Sequence, residues 1–153
     1  MSGWLGALGI SASGLSAERL QMDVIANNIA NVNTTRTASG GPYRREMVVL
    51  QSGSHAPNSF QNALLQASTT GGAGGTGQVA GVQVAGIVQD NSPFKLVYDP
   101  TNPDAVNGYV QMPNVNMSTE MTDMMSASRA YEANVTAFDA GKQLIIDAIG
   151  LGK

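Results

Sequence analysis

All six prolines of the 153-residue chain fall between Pro42 and Pro113, and glycine is missing from 15–39 and from 109–140. Proline removes a backbone donor and breaks helix interiors, and glycine weakens them. Residues 1–41 and 114–153 therefore have room for long helices, and the middle does not. The expected organisation is an N-terminal helix over 1–35, a β-rich middle over 36–115 with a glycine-rich loop at 68–78, and a C-terminal helix over 116–153. The fold class is then α+β, with the terminal helices pairing as an antiparallel coiled coil around a small β-rich segment.

Periodicity supports both helices. Trp4, Leu8, Ser11, Leu15, Glu18, Met22, Ile25, Ile29 and Val32 alternate in steps of four and three, a heptad seam with Ser11 and Glu18 as breaks. Residues 4–33 as one helix would span about 45 Å. The second seam runs through Met117, Met121, Met124, Ser128, Tyr131, Val135, Phe138, Lys142, Ile145 and Ile149. Asn116 or Ser118 can cap its start, Glu120 suits the positive end of the helix, and Gly150 and Gly152 can end it. Lys142 either snorkels or pairs with an acid such as Glu18 on the other helix.

The middle reads as strands and turns. Val79–Val88 and Phe94–Tyr98 are β-rich, and Asn91-Ser92-Pro93 between them predicts a hairpin. An earlier strand covers Tyr43–Leu50, and Asn107-Gly108 is a turn before a strand at Tyr109–Met112.

Charged residues make up 12% of the chain, about half the usual share of roughly 25%. The outer faces of the N-terminal helix are alanine, serine and asparagine rather than lysine and glutamate. Such faces suit close approach by other helices, so copies of the same or related chains are expected to cover them. Asn27, Asn28 and Asn31 sit in a stretch poor in helix propensity. It is either a fraying helix end or a set of amides that bond across subunits and fix register.

Several functions are disfavoured. No basic stripe is present, so nucleic acid is not an expected partner. No apolar run of about 18 residues occurs, so no membrane span is expected. The N-terminal residues lack the basic start of a Sec-type signal peptide. Cysteine is absent and His55 is the single histidine, which removes thiol chemistry and multi-histidine metal sites. Gly72–Gly77 matches G-x-G-x-x-G in spelling, but no strand is expected before it and no helix after it, so a flexible loop is the reading. His55 has no nucleophile elbow near it. No catalytic residue, cofactor or metal is expected.

Ser13–Thr34 (SGLSAERLQMDVIANNIANVNT) resembles the N-terminal signature of bacterial flagellar axial proteins. Tyr43-Arg44-Arg45 after a proline, Ser92–Pro100 (SPFKLVYDP), Gly108-Tyr109-Val110, Pro113–Asn116 (PNVN) and Ser126–Val135 (SASRAYEANV) follow in order. Together they resemble the flagellar basal-body rod protein family, in particular its C-type proximal-rod members, over most of the chain outside 52–78. The glycine-rich segment 71–77 and the tail from Ile145 depart from the pattern.

The resemblance implies a non-enzymatic proximal-rod subunit. It would be made in the cytoplasm, exported by the flagellar type III apparatus without a Sec signal, and assembled helically in the periplasm to transmit torque. Its partners would be other copies, other proximal-rod proteins, and the basal-body protein joining the rod to the MS ring and export gate. The expected subunit-contact residues are the seams: Leu8, Leu15, Met22, Ile25, Ile29 and Val32, then Met117, Met121, Met124, Tyr131, Val135, Phe138, Ile145 and Ile149. Polar candidates are Asn27, Asn28, Asn31, Arg129, Glu132 and Asn134. The terminal helices are expected to order only on assembly, because fixing the backbone costs about 1–2 kcal/mol per residue. Two other readings are a soluble coiled-coil adaptor of fixed size, and an enzyme using His55 or the glycine-rich loop.

Overall fold

The computed structural model describes residues 2–53 and 81–150, and the backbone alone of Ser2–Leu5. His55 and the glycine-rich loop lie outside the described residues. Helix α1 (Ser2–Ala30) is followed by strands β1 (Glu46–Ser52), β2 (Val82–Gln89), β3 (Lys95–Tyr98) and β4 (Tyr109–Met112), then helix α2 (Met117–Gly150). The class is α+β.

The helices lie antiparallel. Asn28 of α1 reaches Glu120 of α2, a β-carbon on Gly14 would stand 2.8 Å from the Asn134 amide nitrogen, and one on Gly141 would stand 3.0 Å from Leu8. Each step toward the C terminus in α1 is matched by a step back in α2. This register keeps Glu18 and Lys142 roughly a dozen residues apart, so of the two readings of Lys142 the pairing with Glu18 does not form, and Lys142 is exposed. Partial burial pushes the Glu18 carboxyl above its ordinary range.

The contact faces are rotated from the expected seams. The deepest apolar positions on the helices are Ala17, Val24, Ile25 and Ala127, and only Ile25 belongs to a seam. Small residues (Gly14, Ala17, Ala127, Gly141) occupy the line of closest approach, where a longer side chain would hold the backbones apart. Leu8, Leu15, Met22, Ile29, Met124, Tyr131, Val135, Phe138 and Ile145 flank that line half-buried.

α1 ends at Ala30, and Asn31–Asn33 form turns. The Asn31 amide donates to the Asn27 carbonyl, and Thr34 donates to Asn31 Oδ1. The asparagine run therefore closes the helix, and Val32 lies past its end. Asn116 caps α2, accepting from the amides of Ser118 and Thr119.

The middle forms two separate two-stranded antiparallel sheets, β1–β2 and β3–β4. The expected β2–β3 hairpin is absent. Asp90 accepts from the Ser92 amide at 2.8 Å in a local turn, Pro93 has no amide to give, and β2 finds its partner in β1. A bulge lies opposite Val49 and Leu50, which pair with Gly86 and Val84. β1 starts at Glu46 and not at Tyr43, because the Tyr43 and Arg45 side chains are drawn to the helices. Asn107 and Gly108, at φ 54° and 81°, join Val106 to Tyr109 in a two-residue turn of positive φ, a shape in which glycine carries no Cβ penalty.

Candidate functional site: a buried polar junction and open helix faces

Asn28 lies near the end of α1 with 1% of its surface exposed. Its amide nitrogen donates to the Glu46 carbonyl at 2.8 Å and to Glu120 Oε2 at 3.1 Å. Its oxygen accepts from Tyr43 Oη at 3.0 Å and from the Glu46 amide at 2.9 Å. All four hydrogen-bonding positions of the side chain are thus used within the chain. Asn28 satisfies its hydrogen-bonding groups within the chain, without a neighbouring subunit.

Glu120, fully buried, carries the junction into α2. Its second oxygen accepts from Arg45 Nε, and the same guanidinium reaches Asp123 at 3.1 Å. The Arg45 amide donates to Asn114 Oδ1, whose amide nitrogen donates to the Asp90 carbonyl. Arg44 also donates to that carbonyl while its guanidinium lies 4.4 Å above the Phe94 ring centroid. Breaking one partner of a buried pair strands the other charge, so these residues act as a unit. Burial, then the Glu46 and Glu120 carboxylates, push the Tyr43 phenol above its ordinary value. The Ser92 hydroxyl and amide hold the Asp90 carboxyl below its ordinary range.

Glu120, Arg45, Tyr43 and Glu46 were not among the expected site residues. The signal was present in one form: Arg44-Arg45 is the only adjacent basic pair in a chain with 12% charged residues. Glu120 does lie in the first turn of α2, and it is buried there as well.

Outside the junction many of the described apolar side chains are exposed. Met117, Met121 and Met125 recur at four-residue spacing on the outer side of α2 and are 39%, 55% and 56% exposed. Leu144, Ile146 and Ile149 are exposed further along. Both sheets expose large apolar side chains, among them Leu50, Ile87, Leu96 and Tyr98. The outer side of α1 carries Gly9, Ala12, Ser16, Ala26 and Ala30. Arg129 and Glu132 point outward, whereas Asn134 faces Gly14 between the helices. Asn27 is exposed and Asn31 half-buried. Among the described residues no cluster of three or more His, Asp or Glu could hold a metal ion, and no helix is long and apolar enough to cross a membrane.

Residues 8–36 match the family model "Flagella basal body rod protein", and 106–151 match "Flagellar basal body rod FlgEFG protein C-terminal". The flagellar basal-body rod protein FlgC of Bacillus subtilis is 47% identical over 152 residues, covering 96% of this chain and 97% of the relative. FlgC of Borreliella burgdorferi is 42% identical, with 97% of each covered. FlgC of Salmonella typhimurium is 37% identical, with 94% of each covered.

Proposed function

From the premise that the chain belongs to the flagellar basal-body rod protein family, FlgC branch, we propose that it is a proximal-rod subunit whose outer helix faces bind neighbouring subunits. Its class is structural: it is a rod subunit of the basal body and assembles with other rod and basal-body components. The observation that carries the finer reading is the exposure of Met117, Met121, Met125, Leu144, Ile146 and Ile149 on one helix. Solvated monomers seldom expose so many large apolar side chains on one helix, and such a surface marks a protein contact. The buried junction sets the register of the two helices, and the outer faces are what each subunit offers to the next.

On this reading the partners are other copies, other proximal-rod proteins, and the protein joining the rod to the MS ring and export gate. The type III apparatus carries the chain out, and the rod forms in the periplasm. Deleting the gene should abolish swimming and remove rods from purified basal bodies, and the wild-type gene should restore both. Rods of normal length in the deletion strain would sink the reading. Persistence of the chain in the cytoplasm when flagellar export is blocked tests the route.

A further inference from the structure

Among the exposed charges of the helices are Arg19 and Asp23 on α1 and Arg129 and Glu132 on α2; Asp139, Lys142 and Asp147 are exposed further along α2. Among the described residues, none of the first four enters an ion pair; the pairs are Arg36–Asp104, Arg45–Glu120 and Arg45–Asp123. Apart from half-buried Glu18, Arg19 and Asp23 are the only charges of α1. They stand among Ala12, Ser16, Ala26 and Ala30. On α2, Arg129 and Glu132 follow the exposed Met121 and Met125.

We propose that a second copy of this chain lays the outer face of its α2, antiparallel, on the outer face of α1, with Arg19 against Glu132 and Asp23 against Arg129. The inference deepens the rod-subunit reading and rests on it. The charge order is what selects the alignment. Going up α1 the signs are plus then minus, and going up α2 they are plus then minus. An antiparallel pairing sets each charge against its opposite. A parallel pairing in the same register sets like against like, which opposes association. In the antiparallel register Ala26 faces Met125 and Ala30 faces Met121. Long flexible side chains thus fill the space that alanines leave, and methionine adapts its shape to such a surface.

The geometry also sets the kind of assembly. The inner faces of α1 and α2 face each other, so their outer faces point in opposite directions. One copy offers α1 to one neighbour and α2 to another. The contact is heterologous and propagates. Within the chain Asn28 stands opposite Glu120. Between copies the proposed pairs fall roughly three residues further along α2, an axial step of about 4.5 Å per neighbour.

Charge reversal and cross-linking test this in the full chain. Purified Arg19→Glu and Glu132→Arg should each lower self-association by about fivefold, and the double variant should recover most of it, because exposed pairs contribute modestly but with a definite sign. All four charges are exposed, so unchanged circular dichroism and melting confirm that folding is intact. Equal loss in the double variant and the singles overturns the pairing. The natural chain has no cysteine. Chains carrying Ala26→Cys, mixed with chains carrying Met125→Cys, should form a disulfide between copies in basal bodies. A cross-link at Ala26→Cys to a different rod protein, with none to this chain, overturns the choice of partner. The solution measurement is independent of the flagellar reading, and the deletion strain tests that reading, so the two failures are distinguishable.

Discussion

Asn28 shows how one side chain can determine the geometry of a charge-poor protein. It ties α1 to the Glu46 backbone, to the Tyr43 hydroxyl and to Glu120. Asn28→Ala leaves the Glu46 amide, Tyr43 Oη and one Glu120 oxygen without a partner. The expected loss is about 2–4 kcal/mol, since each stranded buried group has its own desolvation cost. Urea unfolding measures it, and a loss below about 0.5 kcal/mol, the range of ordinary surface substitutions, would mean that the junction does not hold the helices. Tyr43 adds a pH dependence. Its folded pKa lies above the ordinary phenol value of 10.0, so its contribution is fully present below that pH. That contribution is lost as pH rises through the folded pKa, because the unfolded chain gives up the proton more readily. Tyr43→Phe should flatten the alkaline decline seen in the parent, and an unchanged decline would assign it to other groups.

At the scale of elements, the positions of both helices were legible, because proline placement and periodicity are local properties. Their faces were not. The heptad seams pass through large side chains, yet close approach selects small ones, and Gly14, Ala17, Ala127 and Gly141 carry weak periodic signals. The β2–β3 hairpin does not form for a related reason: two β-rich runs separated by Asn91-Ser92-Pro93 are adjacent in sequence, whereas pairing is set by what each strand meets in space, and β2 meets β1. The Asn107-Gly108 turn was legible because its chemistry is local. Gly108→Val should destabilise the β3–β4 pair, since Gly108 has φ 81° and a β-carbon there would stand 3.0 Å from Tyr98. The Tyr98 and Tyr109 rings, 5.2 Å apart, report on it. Loss of the ring-to-ring NMR contacts in Gly108→Val is the expected result, and their retention would show that the turn tolerates a side chain. The buried junction was illegible as a whole. Its members are spread from Asn28 to Asp123, and only the folded register brings them together.

Across the whole molecule, burial is uneven. Asn28, Val24, Ile25, Glu120 and Ala127 lie toward one end of the helix pair, and the described side chains of 6–16 and 128–150 include none that is buried. Amide exchange in the dilute chain should therefore be slowest over 17–28 and 120–127 and fastest at the helix tips. Uniform protection along both helices would contradict this and would weaken the expectation that the tips order on assembly. Assembly should cover the tips, so the same amides should slow in isolated basal bodies.

The one-ended junction also gives the subunit a directional mechanical response. A load that spreads the two helix tips apart meets small contacts one after another, as in peeling, and each yields before the next is loaded. A load that slides one helix past the other strains the Asn28–Glu120 and Arg45–Glu120 bonds together, as in shear. A tube made of such subunits would resist twisting about its axis while its individual members remained easy to splay and insert.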